Sequence, residues 1–275
     1  MSEKTVGIIT IGNELLLGQV QDTNTPWLCK QITGLGGSVV RVVTVQDKPE
    51  MIIEEIQYAL NQEFSLIITS GGLGPTPDDL TLSAIAQALD RKLILNPEAY
   101  EMVKERIQQL YGAQLLPDEN MSPSREKMAW LPEGAVPLGN HLGTAPGVLL
   151  RLQKSALVSL PGVPSELKDI FSNALRPVLD SLFDASFYLE EELILNWNDE
   201  SALAPMLAEA RQRWPQVYVK SRAKSFEQNF NIMLTLSMSG ERDRVLKEMG
   251  NAKNFLSERL SRQKISVRAP IITDR

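Results

Sequence analysis

Short runs of β-branched residues alternate with helical stretches through the first 185 residues, and this alternation constrains the fold more than any other feature of the chain. Residues 5–11, 38–45 and 64–70 are predicted strands rich in valine and isoleucine. Residues 22–35 and a stretch beginning at Pro49 are the predicted helices between them. The pattern continues with a helix to Leu89, strands at 92–95, 135–137, 147–152 and 156–160, a helical stretch from Pro97 and a helix over 163–182. Strands that alternate with helices form a mainly parallel sheet covered on both faces, so we expect a doubly wound α/β domain.

The remainder of the chain has a different rhythm, in which apolar and polar residues alternate as they do in half-exposed strands. The predicted elements are a strand over 189–197, a helix over 201–213, a short strand over 217–220, a strand over 230–238 and an amphipathic helix after Gly240. This order describes a small α+β domain. A length of 275 residues fits two domains at roughly 150 residues each, and we place them at 1–184 and 185–275.

Two rare residue types limit the available chemistry. The one cysteine, Cys29, cannot form an internal disulfide, and its apolar neighbours predict that it is buried and inert. The one histidine, His141, has no triad pattern around it and is expected to be a polar loop residue. Zinc sites built from histidine and cysteine clusters are therefore excluded, and any metal must use oxygen ligands. The sequence has no run of 18 apolar residues and no signal-peptide start, so we expect a cytoplasmic protein with no membrane partner.

Glycines and carboxylates are concentrated in the loops that follow the predicted strands. The first strand leads into Gly12, Asn13 and Glu14, and the second ends at Asp47. Later loops of the same kind cover 71–79, 139–147 and 161–166. In an open α/β sheet, ligands bind beyond the carboxyl ends of the strands. We therefore expect these loops to form one ligand site.

The loop over 71–79 indicates the class of ligand. Its glycines allow backbone N–H groups to approach an anion at the start of a helix. A phosphate-binding P-loop would also carry a lysine, whereas this loop carries Asp78 and Asp79. The end of a helix attracts an anion by only about 0.3–1 kcal/mol, which is too little to overcome two nearby carboxylates. The combination favours a divalent metal that bridges carboxylates and a di- or triphosphate.

A structural alternative exists for these two aspartates. Asp78 and Asp79 can instead cap the next helix, which is a common role of aspartate. The presence of Asp47 and Glu14 at neighbouring predicted strand ends makes metal binding the favoured interpretation.

Other polar positions also have two interpretations. Asp22 is interpreted as a helix cap, which leaves Asn24 as the better candidate for a ligand contact. The segment 161–164 is either a ligand contact or a rigid turn from strand to helix, with Pro164 in the first helical turn.

Five segments, in this order, resemble the CinA family of competence- and damage-inducible proteins, whose first domain has the molybdopterin-binding fold. They are GNELLLGQVQDTN (12–24), VQD (45–47), GGLGPTPDDLT (71–81), NHLGTAPG (140–147) and LPGVPSEL (160–167). The resemblance covers about residues 5–180. It extends more loosely to the small domain, which is similar to the family's KH-like unit, although Asp199-Glu200-Ser201 stands where the family has Gly-Glu-Ser.

The resemblance implies a metal-dependent hydrolase of nucleotide diphosphates, a pyrophosphatase that releases AMP from ADP-ribose or from dinucleotides such as FAD. Magnesium, manganese or cobalt is the expected metal, with potassium as a further candidate ion. Other proteins of the molybdopterin-binding fold bind or adenylylate molybdopterin in molybdenum-cofactor synthesis, using acids that correspond to Asp47 and Asp79. Many family members continue into a nicotinamide-nucleotide amidase domain, which we do not expect in the short segment after the last predicted helix. The family's habit implies a homodimer.

The hydrolase hypothesis assigns a role to each candidate residue. Asp79, Asp47 and Glu14 are predicted to hold the metal, and Asp47, Asp78 and Asp79 are the predicted catalytic residues, with Asp47 or Asp78 as general base. The backbone amides of residues 71–74, the glycine loop, are expected to stabilise charge on the phosphoryl oxygens. The predicted nucleotide contacts are Gly12, Asn13, Asn24, Gly71, Gly72, Leu73, Gly74, Thr76, Asn140, Thr144, Gly162 and Pro164.

The net charge of −6 is unevenly distributed and raises nucleic-acid binding as a third hypothesis. Residues 201–275 hold 14 Lys and Arg against 7 Asp and Glu, whereas residues 1–200 hold 14 against 27. A KH fold binds RNA with a GXXG loop, but residues 201–275 contain only Gly240 and Gly250. We therefore expect no nucleic-acid partner, and we assign the basic residues to a solvated face or to contacts with the acidic part of the chain.

Overall fold

The computed structural model describes residues 4–183, 187–226 and 229–268. The chain divides into two compact units, Met1–Ile32 with Gly37–Asp184 and Thr33–Gly36 with Ala185–Arg275. The predicted boundary at Asp184 and the side chain of Phe230 lie outside what is described. Across the described ranges, no helix is long and apolar enough to cross a membrane.

The first unit opens with strands that alternate with helices. In chain order these elements are β1 (Thr5–Ile11), α1 (Asn13–Leu16), α2 (Asn24–Gly34), β2 (Ser38–Val45), α3 (Pro49–Asn61), β3 (Leu66–Ser70) and α4 (Thr81–Ala88). A carboxylate oxygen of Asp22 accepts hydrogen bonds from the backbone N–H groups of Asn24 and Thr25, both at 3.0 Å, which confirms Asp22 as the cap of α2. Pro49 is the first residue of α3, where the missing N–H of proline is tolerated.

The middle of this unit contains two elements that the sequence pattern did not predict. Its elements are β4 (Leu93–Leu95), α5 (Pro97–Gly112), α6 (Pro123–Lys127), β5 (Trp130–Pro132), β6 (Val136–Leu138), β7 (Gly147–Arg151) and β8 (Ala156–Leu160). The unpredicted ones, α6 and β5, are too short for either period to emerge. β5 pairs with β4 in a separate two-stranded antiparallel sheet, so tertiary pairing defines both strands.

The large sheet has the strand order β2-β1-β3-β8-β7-β6. The first four strands are parallel, with Val6 opposite Leu66 and Ile68 opposite Val158. β7 pairs with β8, and β6 pairs with β7, both in antiparallel orientation. The prediction of a mainly parallel α/β sheet is therefore confirmed. The carboxyl ends of β2, β1, β3 and β8 lie side by side at one end of the sheet, its carboxyl edge, and β7 begins there.

Helices bury both faces of the large sheet. Ile8 and Ile68 on one face and Ile67 on the other are inaccessible to solvent. Ile52 and Ile56, one turn apart on α3, belong to the same apolar cluster as Ile67. Each fully buried side chain of this kind contributes about 1.5–3 kcal/mol relative to an exposed one. This core holds the strand ends, and hence the loops that follow them, in place.

The predicted helix over 163–182 is interrupted in the structure. It consists of α7 (Pro164–Ile170), a π-helical turn (Phe171–Leu175) and α8 (Arg176–Leu182). Pro177 has no N–H to donate to the preceding turn, so the helical hydrogen-bond register changes just before it.

The second unit is built around an antiparallel sheet of order β10-β11-β9-β12. Its elements are β9 (Phe187–Leu195), a 3₁₀ turn (Ser201–Leu203), α9 (Ala204–Arg213), β10 (Tyr218–Phe226), β11 (Asn229–Gly240), α10 (Arg242–Arg262) and β12 (Val267–Arg268). Leu195, Leu234, Leu256 and Leu260 are fully buried in its core. β10 extends six residues beyond the predicted strand, because pairing with β11 supplies hydrogen bonds to a polar segment with little strand signal of its own. The unit is a small α+β fold, and the KH-like assignment stays a prediction.

Candidate functional site

A cavity of about 540 Å³ opens at the carboxyl edge of the large sheet. Segments that follow β1, β2, β3 and β8 and the segment before β7 form its wall. Predicted site residues on the wall are Glu14, Asp47, Gly71, Gly72, Leu73, Gly74, Asp78, Asp79, Thr144 and Gly162. Lining residues that were not predicted as site residues are Ile11, Pro75, Met128, Ala145, Pro161, Val163 and Glu166. The loops predicted to share one site therefore do share one cavity.

The remaining predicted residues do not line the cavity. They are Gly12, Asn13, Asn24, Thr76, Asn140 and Pro164. Hydrogen bonds from Asn13, Asn24, Thr76 and Asn140 hold the lining residues Asp47, Gly162, Asp79 and Glu166 in place. Pro164 is the first residue of α7 and fulfils the alternative prediction of a rigid turn.

The glycine loop after β3 can be built only from glycine at two positions. Gly71 has a φ of +111° and Gly72 a φ of +68°, both in the region that favours glycine. A Cβ on Gly71 would lie 2.2 Å from the carbonyl oxygen of Ile11, and one on Gly72 would lie 2.2 Å from Oγ1 of Thr81. The Thr81 hydroxyl also donates a hydrogen bond of 2.8 Å to the carbonyl of Gly71. The loop is thus packed tightly against β1 and the start of α4.

Three consecutive backbone amides of this loop are unused. The N–H of Gly71 donates to the carbonyl of Leu160 at 3.0 Å, so it is unavailable to a ligand, contrary to the expectation for that amide. The amides of Gly72, Leu73 and Gly74 have no acceptor in the part of the chain that the structure describes. Consecutive amides in a turn that contains left-handed residues form a concave anion site. The wall therefore carries a candidate phosphate site at 72–74.

The two aspartates of the loop converge on Thr76. Its Oγ1 lies 2.5 Å from Oδ1 of Asp78 and 2.7 Å from Oδ2 of Asp79, so its single hydrogen is shared between two carboxylates. The backbone N–H of Thr76 donates to Asp79 at 2.9 Å. α4 begins after Leu80 and has no side-chain cap, so the alternative in which Asp78 and Asp79 cap this helix is wrong.

Hydrogen bonds to Asp78, with a smaller contribution from the charge of Lys127, favour its ionised form. The Thr76 hydroxyl, a backbone N–H and the Lys127 ammonium lower the pKa of Asp78, in that order of strength. Lys127 itself donates to the carbonyl oxygen of Thr76. Two ionised carboxylates close together repel each other unless a cation lies near them. The arrangement is suited to a cation on the pocket side.

Asp47 and Glu14 also line the cavity, in the segments that follow β2 and β1. Oδ2 of Asp47 accepts a hydrogen bond of 2.7 Å from the backbone N–H of Asn13, so Asn13 contributes its backbone to positioning this acid. Oδ1 of Asp47 has no partner within the described ranges. Glu14 is exposed, and its carboxylate folds back over Gly12.

The carboxylates do not form a complete metal site by themselves. Among the described residues, no three Asp, Glu, His or Cys side chains are grouped closely enough to hold an ion. Magnesium is commonly held by one or two carboxylates together with substrate phosphates and water. Asp47 and Asp79 both line the cavity with carboxylate oxygens of the kind that such an ion uses, and the metal set of Glu14, Asp47 and Asp79 stays a prediction.

Asn24 lies beneath the pocket and joins three elements. It is 6% exposed, and its Nδ2 donates to the carbonyl of Gly162 at 2.8 Å and to Oγ of Ser70 at 3.2 Å. These bonds tie the start of α2 to the ends of β3 and β8. Asn24 is therefore a positioning residue, but its buried Oδ1 has no hydrogen-bond partner among the described residues, so its ligand contact stays a prediction.

The loop over 139–147 is organised by Asn140. Its Oδ1 accepts from the backbone N–H groups of Leu142 and Gly143 at 3.1 and 2.8 Å. Its Nδ2 donates to the carbonyl of Ala145 and to Oε2 of Glu166, both at 2.8 Å. Both amide hydrogens are thus used within the protein, and Asn140 positions the wall instead of contacting a ligand.

Side chains outside the loop brace it further. Arg106 on α5, which sequence reasoning missed, donates to the carbonyls of Leu142 at 2.8 Å and Gly143 at 3.1 Å. Asp169 accepts from the backbone N–H of His141 at 2.9 Å, and Nδ1 of His141 lies 3.1 Å from the same oxygen. Burial raises the pKa of Asp169, but these hydrogen bonds outweigh it and lower the pKa overall. His141 is exposed, in agreement with its predicted role as a polar loop residue.

Cys29 differs from its prediction. The sequence predicted a buried residue, whereas Cys29 is half-buried on α2. Partial burial still raises the pKa of its thiol, which lowers its reactivity.

Replacing Gly143 by alanine is expected to lower the free energy of unfolding by about 0.5–1.5 kcal/mol, the net worth of the hydrogen bond from Asn140 that a displaced Glu166 carboxylate would lose. The added Cβ would lie 1.8 Å from Oε2 of Glu166, so either the loop or the carboxylate must move. Urea denaturation followed by circular dichroism measures the change. Gly139→Ala is the matched control, because a Cβ at Gly139 meets nothing within 4 Å. Equal denaturation midpoints for the two variants would contradict the close contact.

Comparison with known proteins identifies the first unit. A family model described as "Probable molybdopterin binding domain" matches residues 7–181. A protein of Aeropyrum pernix is 46% identical over 220 residues, which cover 80% of this chain and 79% of that protein. A protein of Pyrobaculum arsenaticum is 42% identical over 220 residues and 80% of each chain. The crystal structure of the protein CinA with unknown function from Thermoplasma acidophilum is 31% identical, with a TM-score of 0.57, and the match covers 64% of this chain and 98% of that one.

These matches confirm the resemblance to CinA and to the molybdopterin-binding fold. The segment matched by the family model contains every residue of the cavity wall and all of the large sheet except Thr5 and Val6. The chain therefore belongs to the molybdopterin-binding domain family, through its residues 7–181.

Proposed function

We propose that the pocket binds a phosphorylated pterin of the molybdopterin type together with a divalent cation. The observation that carries the proposal is the row of unused amides at 72–74 on the same wall as Asp47, Asp78 and Asp79. The amides suit phosphate oxygens, whereas the carboxylates repel them unless a cation lies between. Membership in the molybdopterin-binding domain family supports a pterin as the organic part of the ligand.

The charge of the wall supports a ligand that brings its own cation. Among its described residues the wall has no lysine, arginine or histidine. Lys127 is directed to the carbonyl of Thr76 and not to the cavity. Asp47 and Asp79 are the residues that would hold the ion, with ligand phosphates completing its coordination. A bound divalent cation would neutralise phosphate charge and polarise a phosphoryl oxygen.

The rest of the wall suits a flat ring. Ile11, Leu73, Met128 and Ala145 are buried apolar residues on the wall. Binding sites for small molecules are typically apolar with a few placed polar groups. The thioether of methionine also makes favourable contacts with aromatic rings. These residues support a heterocycle as the part of the ligand that lies away from the phosphate.

A second candidate is hydrolysis of a nucleotide diphosphate such as ADP-ribose, as the resemblance to CinA implies. It is favoured by the pair Asp78 and Asp79, which Thr76 holds together beside the unused amides. In this reaction, Asp47 or Asp78 would take a proton from a water whose oxygen attacks one phosphorus. The bond from that phosphorus to the bridging oxygen breaks, and the products are AMP and ribose 5-phosphate.

One set of titrations tests the proposal. Isothermal titration calorimetry under anaerobic conditions measures the binding of molybdopterin to the full chain with and without magnesium. We expect binding that depends on magnesium, because the acidic wall opposes the bare phosphate. Incubation with molybdopterin and ATP, followed by chromatography, detects an adenylylated pterin if the chain transfers the adenylyl group.

A parallel incubation with ADP-ribose separates the two candidates. Multiple turnovers of ADP-ribose to AMP, with no binding of molybdopterin, would favour the hydrolase. A chain that binds neither compound in the presence of magnesium, manganese or cobalt would contradict both candidates.

A further inference from the structure

We propose that Glu166 is the residue that selects the ligand ring, by accepting hydrogen bonds from the 2-amino-4-oxopyrimidine edge of a pterin. This inference rests on the proposed function and names a specificity residue of the same pocket. Glu166 lies in the first turn of α7, after β8, and lines the cavity. The side-chain amide of Asn140 donates a hydrogen bond to one oxygen of the Glu166 carboxylate.

The Glu166 carboxylate is fixed before any ligand arrives. Oε2 accepts a hydrogen bond of 2.8 Å from Nδ2 of Asn140. The absence of a side chain at Gly143 lets the loop backbone pack directly on this carboxylate, since a Cβ there would lie 1.8–2.6 Å from its three terminal atoms. Arg106 in turn holds the carbonyl of Gly143. A side chain restrained in this way loses little conformational entropy on binding, as a preorganised recognition group should.

The bond from Asn140 leaves the carboxylate with free acceptor capacity. An ionised carboxylate has about four lone-pair sites, and Oε1 of Glu166 has no partner within the described ranges. A carboxylate cannot donate, so it selects ligand groups that do. The ring N–H and the adjacent amino group of a pterin are two parallel donors that match the two oxygens of one carboxylate. A phosphate ester is negatively charged at neutral pH and has no such pair of parallel donors, so the carboxylate repels it.

The topology separates this acid from the phosphate site. The unused amides at 72–74 follow β3, and Glu166 follows β8, its neighbour in the sheet. Both groups line one cavity, beyond neighbouring strands that lie about 4.8 Å apart. A single pterin with a phosphorylated side chain can therefore contact the amides with its phosphate and Glu166 with its ring. Leu73, Met128 and Ala145 line the same cavity and supply apolar contacts for the ring faces.

The test compares triphosphates that differ only in the donor edge. The probes are neopterin triphosphate and GTP, which carry the amino group beside a ring N–H, ITP, which lacks the amino group, and inorganic tripolyphosphate, which lacks a ring. Calorimetry with magnesium measures their affinities for the wild-type chain and for Glu166→Gln. Glu54→Gln, an exposed acid on α3 away from the cavity, is the matched control.

We expect the wild-type chain and Glu54→Gln to bind GTP and neopterin triphosphate about 10–100-fold more tightly than ITP, the range that a hydrogen bond to a charged group provides. In Glu166→Gln this preference is expected to fall close to 1, while tripolyphosphate binds as before or more tightly. An unchanged preference in Glu166→Gln would overturn the role of Glu166 alone. A wild-type chain that binds none of the probes would overturn the proposed function and this inference together.

Discussion

Replacing Asp79 by asparagine is expected to abolish the magnesium-dependent part of ligand binding, with a loss of at least about 100-fold. Groups that only hydrogen-bond to a metal ligand are typically worth 10–100-fold in affinity, so loss of a ligand charge should cost no less. The loop itself should stay folded, because an asparagine oxygen can still accept from the N–H and hydroxyl of Thr76, as Asp79 does. Calorimetric titration with neopterin triphosphate, with and without magnesium, measures the loss.

The control for this variant is Asp90→Asn. Asp90 is exposed, lies outside the pocket and has a φ of +50°, a conformation that asparagine accepts readily. It removes the same charge from the chain without touching the site. If Asp79→Asn and Asp90→Asn bind the probe equally well in magnesium, Asp79 does not hold the cation.

Replacing Gly71 by alanine is expected to lower the free energy of unfolding by about 3 kcal/mol, the sum of backbone strain and overpacking. The strain comes from its φ of +111°, and the overlap comes from a Cβ that would lie 2.2 Å from the backbone oxygen of Ile11. Because this neighbour is backbone in the central strand β1, neither side can move cheaply. Urea denaturation followed by circular dichroism measures the change in midpoint at constant slope.

Gly112→Ala is the matched control for Gly71→Ala. Gly112 ends α5, and a Cβ there meets nothing within 4 Å. Alanine is a better helix former than glycine by about 1 kcal/mol, so this variant should be as stable as the wild type or slightly more stable. A Gly71→Ala variant that unfolds at the wild-type midpoint would show that the loop can relax, and the argument for a rigid glycine loop would fail.

The main strands were predictable because each is a short run rich in valine and isoleucine that is bounded by turn residues. β1 and β2 begin and end at the predicted residues, and β3 begins two residues later than predicted. β1 and β3 are buried on both faces and carry this signal locally. The edge strand β2 carries it through its valines, although Val40 and Val42 are exposed. Asp47 and the glycine loop were predictable for a related reason, since the ends of parallel strands meet at one edge.

The roles of several polar residues were not predictable from their types. Asn24 and Asn140 were expected to contact the ligand, yet their amide groups hold Gly162, Ala145 and Glu166. An amide serves equally well for a ligand or for the backbone, and only the fold decides which partner is within reach. For Asp78 and Asp79, the sequence left open whether they bind a ligand or cap the next helix. The structure excludes the cap, because α4 begins at Thr81, after Leu80, and has no side-chain cap.

By itself, the amino-acid sequence determined the class of the fold and the edge of the sheet at which the pocket forms. Both follow from local patterns of apolar period, glycine and strand ends. The tertiary structure alone placed Met128 at the site and Arg106 in its support, and it alone singled out Glu166 within the loop predicted at 161–166. Neither Met128 nor Arg106 lies in a segment whose sequence predicted a site. Long-range packing brings Met128 to the cavity and Arg106 to the loop at 139–147. Contacts between residues far apart in the chain depend on packing that no local pattern encodes.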